Sequence, residues 1–148
     1  MRYRKKEMSD VQLFLFSYEE AKLEVERLER RALELESQCN KMAAQYDSSP
    51  RGGGGGSRNA TWDAYCEAID RVEAQKREYL RIEAEVESFI RRLPTQVYRQ
   101  LLRHYYLECL TFERVGEVIH MSERYTRQLH EDALLEAERV WRKWKEKE

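Results

Sequence analysis

The stretch SSPRGGGGGS, residues 48–57, decides how the rest of this chain can fold. Five of the six glycines in the 148-residue sequence stand in this run, and a proline lies just before them. Proline and consecutive glycines do not sustain a helix, because proline lacks a backbone N–H and glycine loses the most conformational freedom on folding. The stretch therefore predicts an interruption, and the residues on either side show what is interrupted.

Four heptads of apolar or small residues precede the glycine run. Alternating steps of three and four join Tyr18, Ala21, Val25, Leu28, Ala32, Leu35, Cys39, Met42 and Tyr46. This spacing gives a helix a narrow apolar seam and is typical of a coiled coil. Ser17 and Glu20 can form a capping box at its start, which leaves residues 1–16 as an N-terminal arm. The alternative is that residues 1–16 contain the start of the helix, at Ser9 or Asp10.

A second apolar seam follows the glycine run. It is predicted at Trp62, Tyr65, Ile69, Val72, Tyr79, Ile82, Val86, Phe89 and Leu93. Lys76 falls on this seam as a charged interruption, with its stem along the seam and its ammonium in water. Two successive steps of three after Lys76 predict a stammer, which overwinds a coiled coil locally. Pro94 ends the helix, because it disfavours helical geometry in the residue before it.

Two helices of similar length predict a long antiparallel helical hairpin over residues 17–93, with a Gly-rich turn at about 47–60. A glycine-rich chain of that length reaches roughly 20 Å, which is ample for the roughly 10 Å between packed helices. An engineered cloning linker would have the same letters, so that alternative stays open. Periodicity also leaves open whether each seam pairs within its own chain or with a second copy in a homo-oligomer.

Composition limits the classes of protein to which the chain can belong. Charged residues make up 37% of the sequence, yet the formal net charge is −1. No apolar run approaches the roughly 18 residues of a membrane span. Cys39, Cys66 and Cys109 lack the spacing of a zinc site and are interpreted as reduced thiols on helix faces. No nucleophile–base pair or phosphate-binding loop is visible. We therefore expect no catalytic site, cofactor, metal or membrane partner.

From residue 94 to residue 148 the apolar pattern no longer forms one long seam and instead predicts shorter helices. Thr111 is a natural N-cap for a helix that carries Phe112, Val115 and Ile119 on one side. Gly116 inside that helix costs about 1 kcal/mol relative to alanine, so a packing reason is expected. A neighbouring helix that approaches too closely for a Cβ atom is such a reason.

A break at His120 and Met121 separates this helix from the next one, which Ser122 caps. Leu129 and Ala133 continue the buried face. A helix, a turn of about three residues and a second helix with an arginine-rich start form the layout of a helix-turn-helix. The sequence thus predicts an all-α protein in which a helix-turn-helix domain over residues 94–148 follows the hairpin.

The helix-turn-helix resembles region 4 of bacterial sigma-70 factors, the part that reads the promoter −35 element. The likeness is carried by Thr111, Glu113, Val115, Gly116, Glu117, Ile119, Ser122, Arg127, Gln128, Leu129, Ala133 and Leu134. The whole layout is also similar to small phage-encoded transcriptional regulators, which place such a motif behind an N-terminal coiled coil.

The resemblance implies that the second helix enters the major groove of double-stranded DNA with its first two turns. The residues it assigns to the interface are Ser122, Glu123, Arg124, Tyr125, Arg127 and Gln128. Arginine can bond guanine bidentately, and glutamine can pair with adenine. Glu123 and Arg124 reverse the family's usual Arg-Glu order, which implies a different preferred base sequence. Thr126 replaces the usual Ile or Val, which predicts a slightly looser core.

The expected function is regulation of transcription, as a phage gene activator that acts with host RNA polymerase in the bacterial cytoplasm. Two alternatives stay open: a DNA-packaging or replication protein that marks a site, and a coiled-coil interaction protein that does not bind DNA. Residues 91–148 carry 12 Lys/Arg and 10 Asp/Glu, which is a weak electrostatic footprint for a DNA-binding protein.

Both ends of the chain carry further candidate contacts. Trp141 and Trp144 are expected to pack on the protein's own hairpin, with a polymerase or dimer contact as the alternative. The basic residues of the stretch 1–6 either add phosphate contacts or belong to a disordered tail.

Overall fold

The computed structural model describes residues 8–48 and 55–147, and all regular structure in them is helical. The elements are α1 (Asp10–Ser48), α2 (Gly55–Arg91), α3 (Gln96–Leu102) with a following π-helical turn (Arg103–Leu107), α4 (Phe112–Ile119) and α5 (Glu123–Glu146). The predicted all-α class, with a long helical hairpin followed by a helix-turn-helix, is confirmed. None of the described helices is long and apolar enough to cross a bilayer.

Helix α1 begins at Asp10, so the earlier of the two predicted starts is the correct one. The Ser9 hydroxyl oxygen accepts a hydrogen bond from the backbone N–H of Gln12 at 3.4 Å, as an N-cap does. Ser17 lies inside the helix, where its hydroxyl donates to the carbonyl oxygen of Phe14. The capping box predicted at Ser17 is therefore wrong.

The segment between the two long helices is shorter than the predicted turn. Helix α1 continues to Ser48 and α2 begins at Gly55, so both ends of the predicted turn at about 47–60 are helical. The middle of that turn, residues 49–54, lies outside the described residues, as do residues 1–7.

Helices α1 and α2 pack against each other as an antiparallel hairpin. Their contacts run in opposite directions along the two helices. The rings of Phe14 and Phe89 lie 5.5 Å apart, whereas further along α1 the Glu29 carboxylate lies 3.1 Å from the Lys76 ammonium. The two apolar seams are thus buried against each other within one chain.

The seam of α2 follows a different register from the predicted one. Ala68 is 7% exposed, whereas Trp62 is 55% exposed and Lys76 lies at the surface. The less exposed positions include Thr61, Tyr65, Ala68, Val72, Gln75, Tyr79, Ile82, Val86, Phe89 and Leu93. Their steps alternate between four and three without a break. The predicted stammer and the charged interruption at Lys76 are wrong, because small Ala68 and polar Gln75 occupy the seam.

Contacts divide the chain into two compact units. The first, here called the hairpin unit, spans Ala21–Tyr79. Its core contains Ala32, Leu35, Ala68 and Val72, with Leu28, Ala64, Tyr65 and Ile69 partly buried around it. The second, here called the C-terminal unit, comprises the described residues up to Glu20 together with those from Leu80 onward.

The C-terminal unit has a deep aromatic core. Its fully buried side chains include Leu15, Val86, Phe89, Ile90, Leu93, Leu101, Leu102, Tyr106 and Val115. Near the end of α5, Trp141 lies 4.9 Å from Phe14 and Trp144 lies 5.6 Å from Phe89, measured between ring centroids. The expectation that the two tryptophans pack on the protein's own long helices is confirmed.

Candidate nucleic-acid interface

Two caps define the connection between α4 and α5. The Thr111 hydroxyl oxygen accepts from the backbone N–H of Arg114 at 3.3 Å, and the Ser122 hydroxyl oxygen accepts from that of Tyr125 at 3.1 Å. Both predicted N-caps are confirmed. His120 ends α4 in the left-handed region, with φ 62 and ψ 43, which is an unfavourable conformation for a residue with a Cβ.

Gly116 allows this connection to be tight. A Cβ atom at this position would lie 2.7 Å from the carbonyl oxygen of Met121 and 3.0 Å from the hydroxyl oxygen of Thr126. The backbone N–H of Met121 also donates to the Gly116 carbonyl at 2.8 Å. The predicted close approach of a neighbouring helix is confirmed through Thr126 of α5, but the nearest atom belongs to the turn, at Met121.

Thr126 fills the space beside Gly116. The residue is fully buried, and its hydroxyl donates to the Ser122 carbonyl oxygen at 2.7 Å. A buried hydroxyl is costly only when it lacks a partner. The Thr126 hydroxyl is therefore buried beside Gly116 without being left unpaired.

His130 holds α5 against the rest of the C-terminal unit. It is 1% exposed, and its Nε2 atom lies 2.8 Å from the hydroxyl of Tyr106. The rings of Tyr105 and Phe112 lie 5.1 and 5.0 Å from the imidazole. Helical periodicity places His130 one turn after buried Thr126, so its burial could be found from sequence, but its Tyr106 partner could not.

The six residues predicted for the interface lie together at the exposed N-terminal end of α5. They are Ser122, Glu123, Arg124, Tyr125, Arg127 and Gln128, and all are exposed. The opposite side of the same turns is buried through Thr126, Leu129 and His130. This end of the helix therefore presents polar side chains outward from a rigid support.

Within this group, the two arginines differ in their surroundings. The guanidinium of Arg127 donates to the Glu123 carboxylate at 2.8 Å and lies 4.9 Å from the centre of the Phe112 ring. Among the described residues, no hydrogen bond, ion pair or ring contact engages the side chain of Arg124 or Gln128. Arg124 and Gln128 are thus available to a ligand, whereas Arg127 must first leave an existing partner.

The exposed face of α5 continues beyond the predicted residues. Leu135, Arg139 and Arg142 are exposed, and Leu135 retains 56% of its accessible surface. At 100° per residue, all three lie within about 40° of Gln128 around the helix axis. The same period of 3.6 residues could have identified them from the sequence alone.

Acidic residues outnumber arginines in the sequence of α4, the turn and the first part of α5. Between Thr111 and Asp132, three arginines stand against five acidic residues, a formal net charge of −2. On the neighbouring helix α3, burial raises the pKa of the Tyr98 hydroxyl, and the charges of Asp132 and Glu136 raise it further. One flank of α5 is therefore acidic, and phosphate groups would be repelled from that flank.

Other candidate chemistry is sparse in the described part of the chain. No group of three or more His, Cys, Asp or Glu side chains converges there as a metal site would require. Cys39, Cys66 and Cys109, which all lie among the described residues, form no disulfide. Cys109 does not lie on a helix face as expected, because it follows the π-helical turn with a positive φ of 58.

Comparison of the chain with protein-family models, with curated proteins and with solved structures finds no match.

Proposed function

We propose that this protein binds double-stranded DNA at specific sequences through the N-terminal turns of α5 and regulates transcription. The observation that supports the proposal is the cluster of exposed polar residues at that end of α5, opposite a fully buried face. Major-groove recognition needs this arrangement, because base edges are read by side chains on a helix that the rest of the domain holds rigidly.

The resemblance to sigma-70 region 4 extends the proposal to a mechanism. The protein would be a phage-encoded gene activator in the bacterial cytoplasm, in which the helix-turn-helix holds promoter DNA while another surface contacts host RNA polymerase. Recruitment of this kind needs no catalytic group, because binding energy alone raises the local concentration of polymerase.

The charge distribution predicts how such binding would depend on salt. Arg124 lacks a carboxylate partner within the described residues, whereas Arg127 shares its charge with Glu123. Few cations therefore meet phosphates, and the slope of log affinity against log salt should be shallow. Base contacts by Arg124 and Gln128 would then carry a large share of the binding free energy.

The direct test selects binding sequences from a random duplex library and measures affinity for the enriched site by fluorescence anisotropy. Arg124→Ala and Gln128→Ala should each weaken binding by about 1–3 kcal/mol and relax the preference at one base pair. Arg127→Ala should weaken binding less. In the parent protein Arg127 must break its ion pair with Glu123 before it contacts DNA, and the cost of breaking that pair offsets part of the contact's free energy. Arg77→Ala, an exposed arginine of the hairpin unit, is the matched control.

Failure to enrich any sequence would contradict the proposal, as would parental affinity in folded Arg124→Ala and Gln128→Ala variants. Crosslinking to the host genome then separates the remaining functions. Occupancy at promoters supports a transcriptional regulator, a single occupied site supports a packaging or replication protein, and no occupancy supports a protein-interaction module.

A further inference from the structure

A groove lies in the C-terminal unit, between the turn that follows α2 and the last turns of α5. Its volume is 330 Å³, and its lining consists of Arg92, Pro94, Val140, Lys143, Trp144 and Lys147. Half of these residues are apolar and half are cationic. No carboxylate is among the described residues that line it.

The three cations of the groove differ from their neighbours in having no carboxylate partner. Arg91 and Arg103, which lie nearby in sequence and in the unit, both reach the carboxylate of Glu87, at 3.5 and 2.9 Å. In the described part of the chain, no side-chain hydrogen bond or ion pair engages Arg92, Lys143 or Lys147. Like charges around one groove repel each other, and a bound anion would relieve that repulsion.

The apolar part of the groove is continuous with the aromatic core. The Trp144 ring packs 5.6 Å from that of Phe89, and the Arg92 guanidinium lies 5.4 Å from the centre of the Trp144 ring. The indole is therefore held in place from behind while one part of it lines the groove. A rigid, partly exposed tryptophan beside cations is the kind of residue that dominates the binding free energy of protein interfaces.

We propose that this groove binds an acidic segment of a partner protein in which carboxylates alternate with apolar side chains. The carboxylates would pair with Arg92, Lys143 and Lys147, and an apolar side chain would cover Trp144 and Val140. Phosphate groups of a nucleic acid match only the cations, because they offer nothing to bury against the apolar half of the lining. The mixed lining therefore favours a peptide.

The groove and the proposed DNA-reading face lie on different parts of α5. Lys143 follows Gln128 by about 22 Å along the helix axis, at 1.5 Å per residue. Around the axis, the groove residues of α5 lie about 60–160° from Gln128. A peptide in the groove would leave the N-terminal turns of α5 uncovered. The inference consequently does not depend on DNA binding, and the two activities can be tested separately.

The test uses the full chain and a short fluorescent peptide in which aspartate alternates with leucine. Anisotropy should show saturable binding that weakens as salt is raised. Lys143→Glu combined with Lys147→Glu should weaken it about ten-fold or more. Lys41→Glu combined with Arg71→Glu makes the same charge change at exposed positions of the hairpin unit and should leave affinity unchanged. Replacing leucine by serine in the peptide should also weaken binding several-fold.

Three outcomes would overturn the inference. The aspartate–leucine peptide fails to bind, or both pairs of variants lose affinity equally, or the serine peptide binds as well as the leucine peptide. If the serine peptide binds as well as the leucine peptide, binding to a DNA duplex of random sequence is measured next. Loss of that binding in the Lys143→Glu/Lys147→Glu variant would identify the groove as a phosphate site. Thermal unfolding checks that each variant folds, and the milder Lys143→Gln/Lys147→Gln pair replaces the first if it does not.

Discussion

The hairpin unit and the C-terminal unit are built on the same two long helices, yet their interiors differ. In the hairpin unit the buried apolar residues keep 5–7% of their surface exposed, and three of the five, Ala21, Ala32 and Ala68, are alanines. In the C-terminal unit, Phe89, Ile90 and Tyr106 are completely buried. A heptad seam has the same appearance in sequence in both places, but it leads to two kinds of core.

The difference follows from the number of helices that cover each seam. Two helices shield only one face of each other, so the flanks of every seam residue remain in contact with water. In the C-terminal unit, α3 and α5 and the aromatic side chains they carry add further layers. Because hydrophobic stabilisation grows with the apolar area removed from water, most of the stability is expected to lie in the C-terminal unit.

The largest predicted effect tests that expectation at Phe89. Phe89→Ala removes a fully buried ring that contacts the rings of Phe14, Trp141 and Trp144. The free energy of unfolding should fall by about 3–5 kcal/mol, because the cavity cannot close against rigid aromatic neighbours. Urea unfolding followed by tryptophan fluorescence measures it. Phe89→Leu should cost clearly less, and a loss below about 1 kcal/mol for Phe89→Ala would contradict the contrast between the units.

The second prediction compares two leucines of α1. Leu35 is 5% exposed in the hairpin seam, whereas Leu33 is 63% exposed on the same helix. Leu35→Asp places an unpaired charge in the seam and should cost about 2 kcal/mol or more, whereas Leu33→Asp should stay within about 0.5 kcal/mol. Hydrogen exchange should show the opening confined to the hairpin unit. Equal effects of the two substitutions would mean that the seam is not buried.

A smaller loss is expected at Gly116, inside the C-terminal unit. Alanine favours a helix by about 1 kcal/mol over glycine, but its Cβ would meet the carbonyl oxygen of Met121 at 2.7 Å. The backbone of a tight turn can move only slightly to relieve this contact. We therefore expect Gly116→Ala to lower the free energy of unfolding by about 1–2 kcal/mol and to displace the N-terminus of α5. Glu117→Ala, at the exposed neighbouring position, serves as the control in thermal unfolding. A stabilised Gly116→Ala variant would refute the close approach.

The smallest effect is a gain at His120. This exposed residue holds a left-handed conformation with φ 62, which glycine adopts without a steric penalty. His120→Gly should raise the free energy of unfolding by up to about 1 kcal/mol, after part of the gain is offset by the greater freedom of glycine in the unfolded chain. His120→Ala should show no such gain in the same denaturation experiment. A loss of stability in His120→Gly would show that the imidazole makes a contribution of its own.

The sequence predicted the local structure around the candidate site well. Thr111 and Ser122 were identified as N-caps because a cap is a contact between residues three apart, and such contacts depend only on the nearby chain. Gly116 was identified as a point of close approach for a similar reason, since a glycine inside a helix is costly unless something occupies the space of its Cβ. In contrast, the sequence left two starts open for α1, at Ser17 and at Ser9 or Asp10, and only the structure shows that the earlier one is used.

Sequence reasoning failed where the outcome depended on which neighbour covers a residue. The sequence prediction placed Lys76 on the seam because neither Ala68 nor Gln75 is strongly apolar. In the structure Ala68 is buried and Gln75 is half-buried, whereas Lys76 is exposed. The motif includes Arg127, whereas Arg124 departs from it, but the motif does not show that the Arg127 guanidinium has Glu123 and the Phe112 ring beside it. The DNA-binding role assigned to this helix stays a prediction that the binding experiments test.

The sequence by itself determined the helical class, the N-caps at Thr111 and Ser122 and the tight turn before α5, because each of these depends on backbone propensity and on contacts within a few residues. Only the tertiary structure decided the register of α2, the hydrogen bond between His130 and Tyr106, and the grouping of Phe14 and Phe89 with the end of α5. Periodicity states which face of a helix is apolar, but it does not state what covers that face. Coverage depends on residues distant in sequence, which come together only when the chain folds.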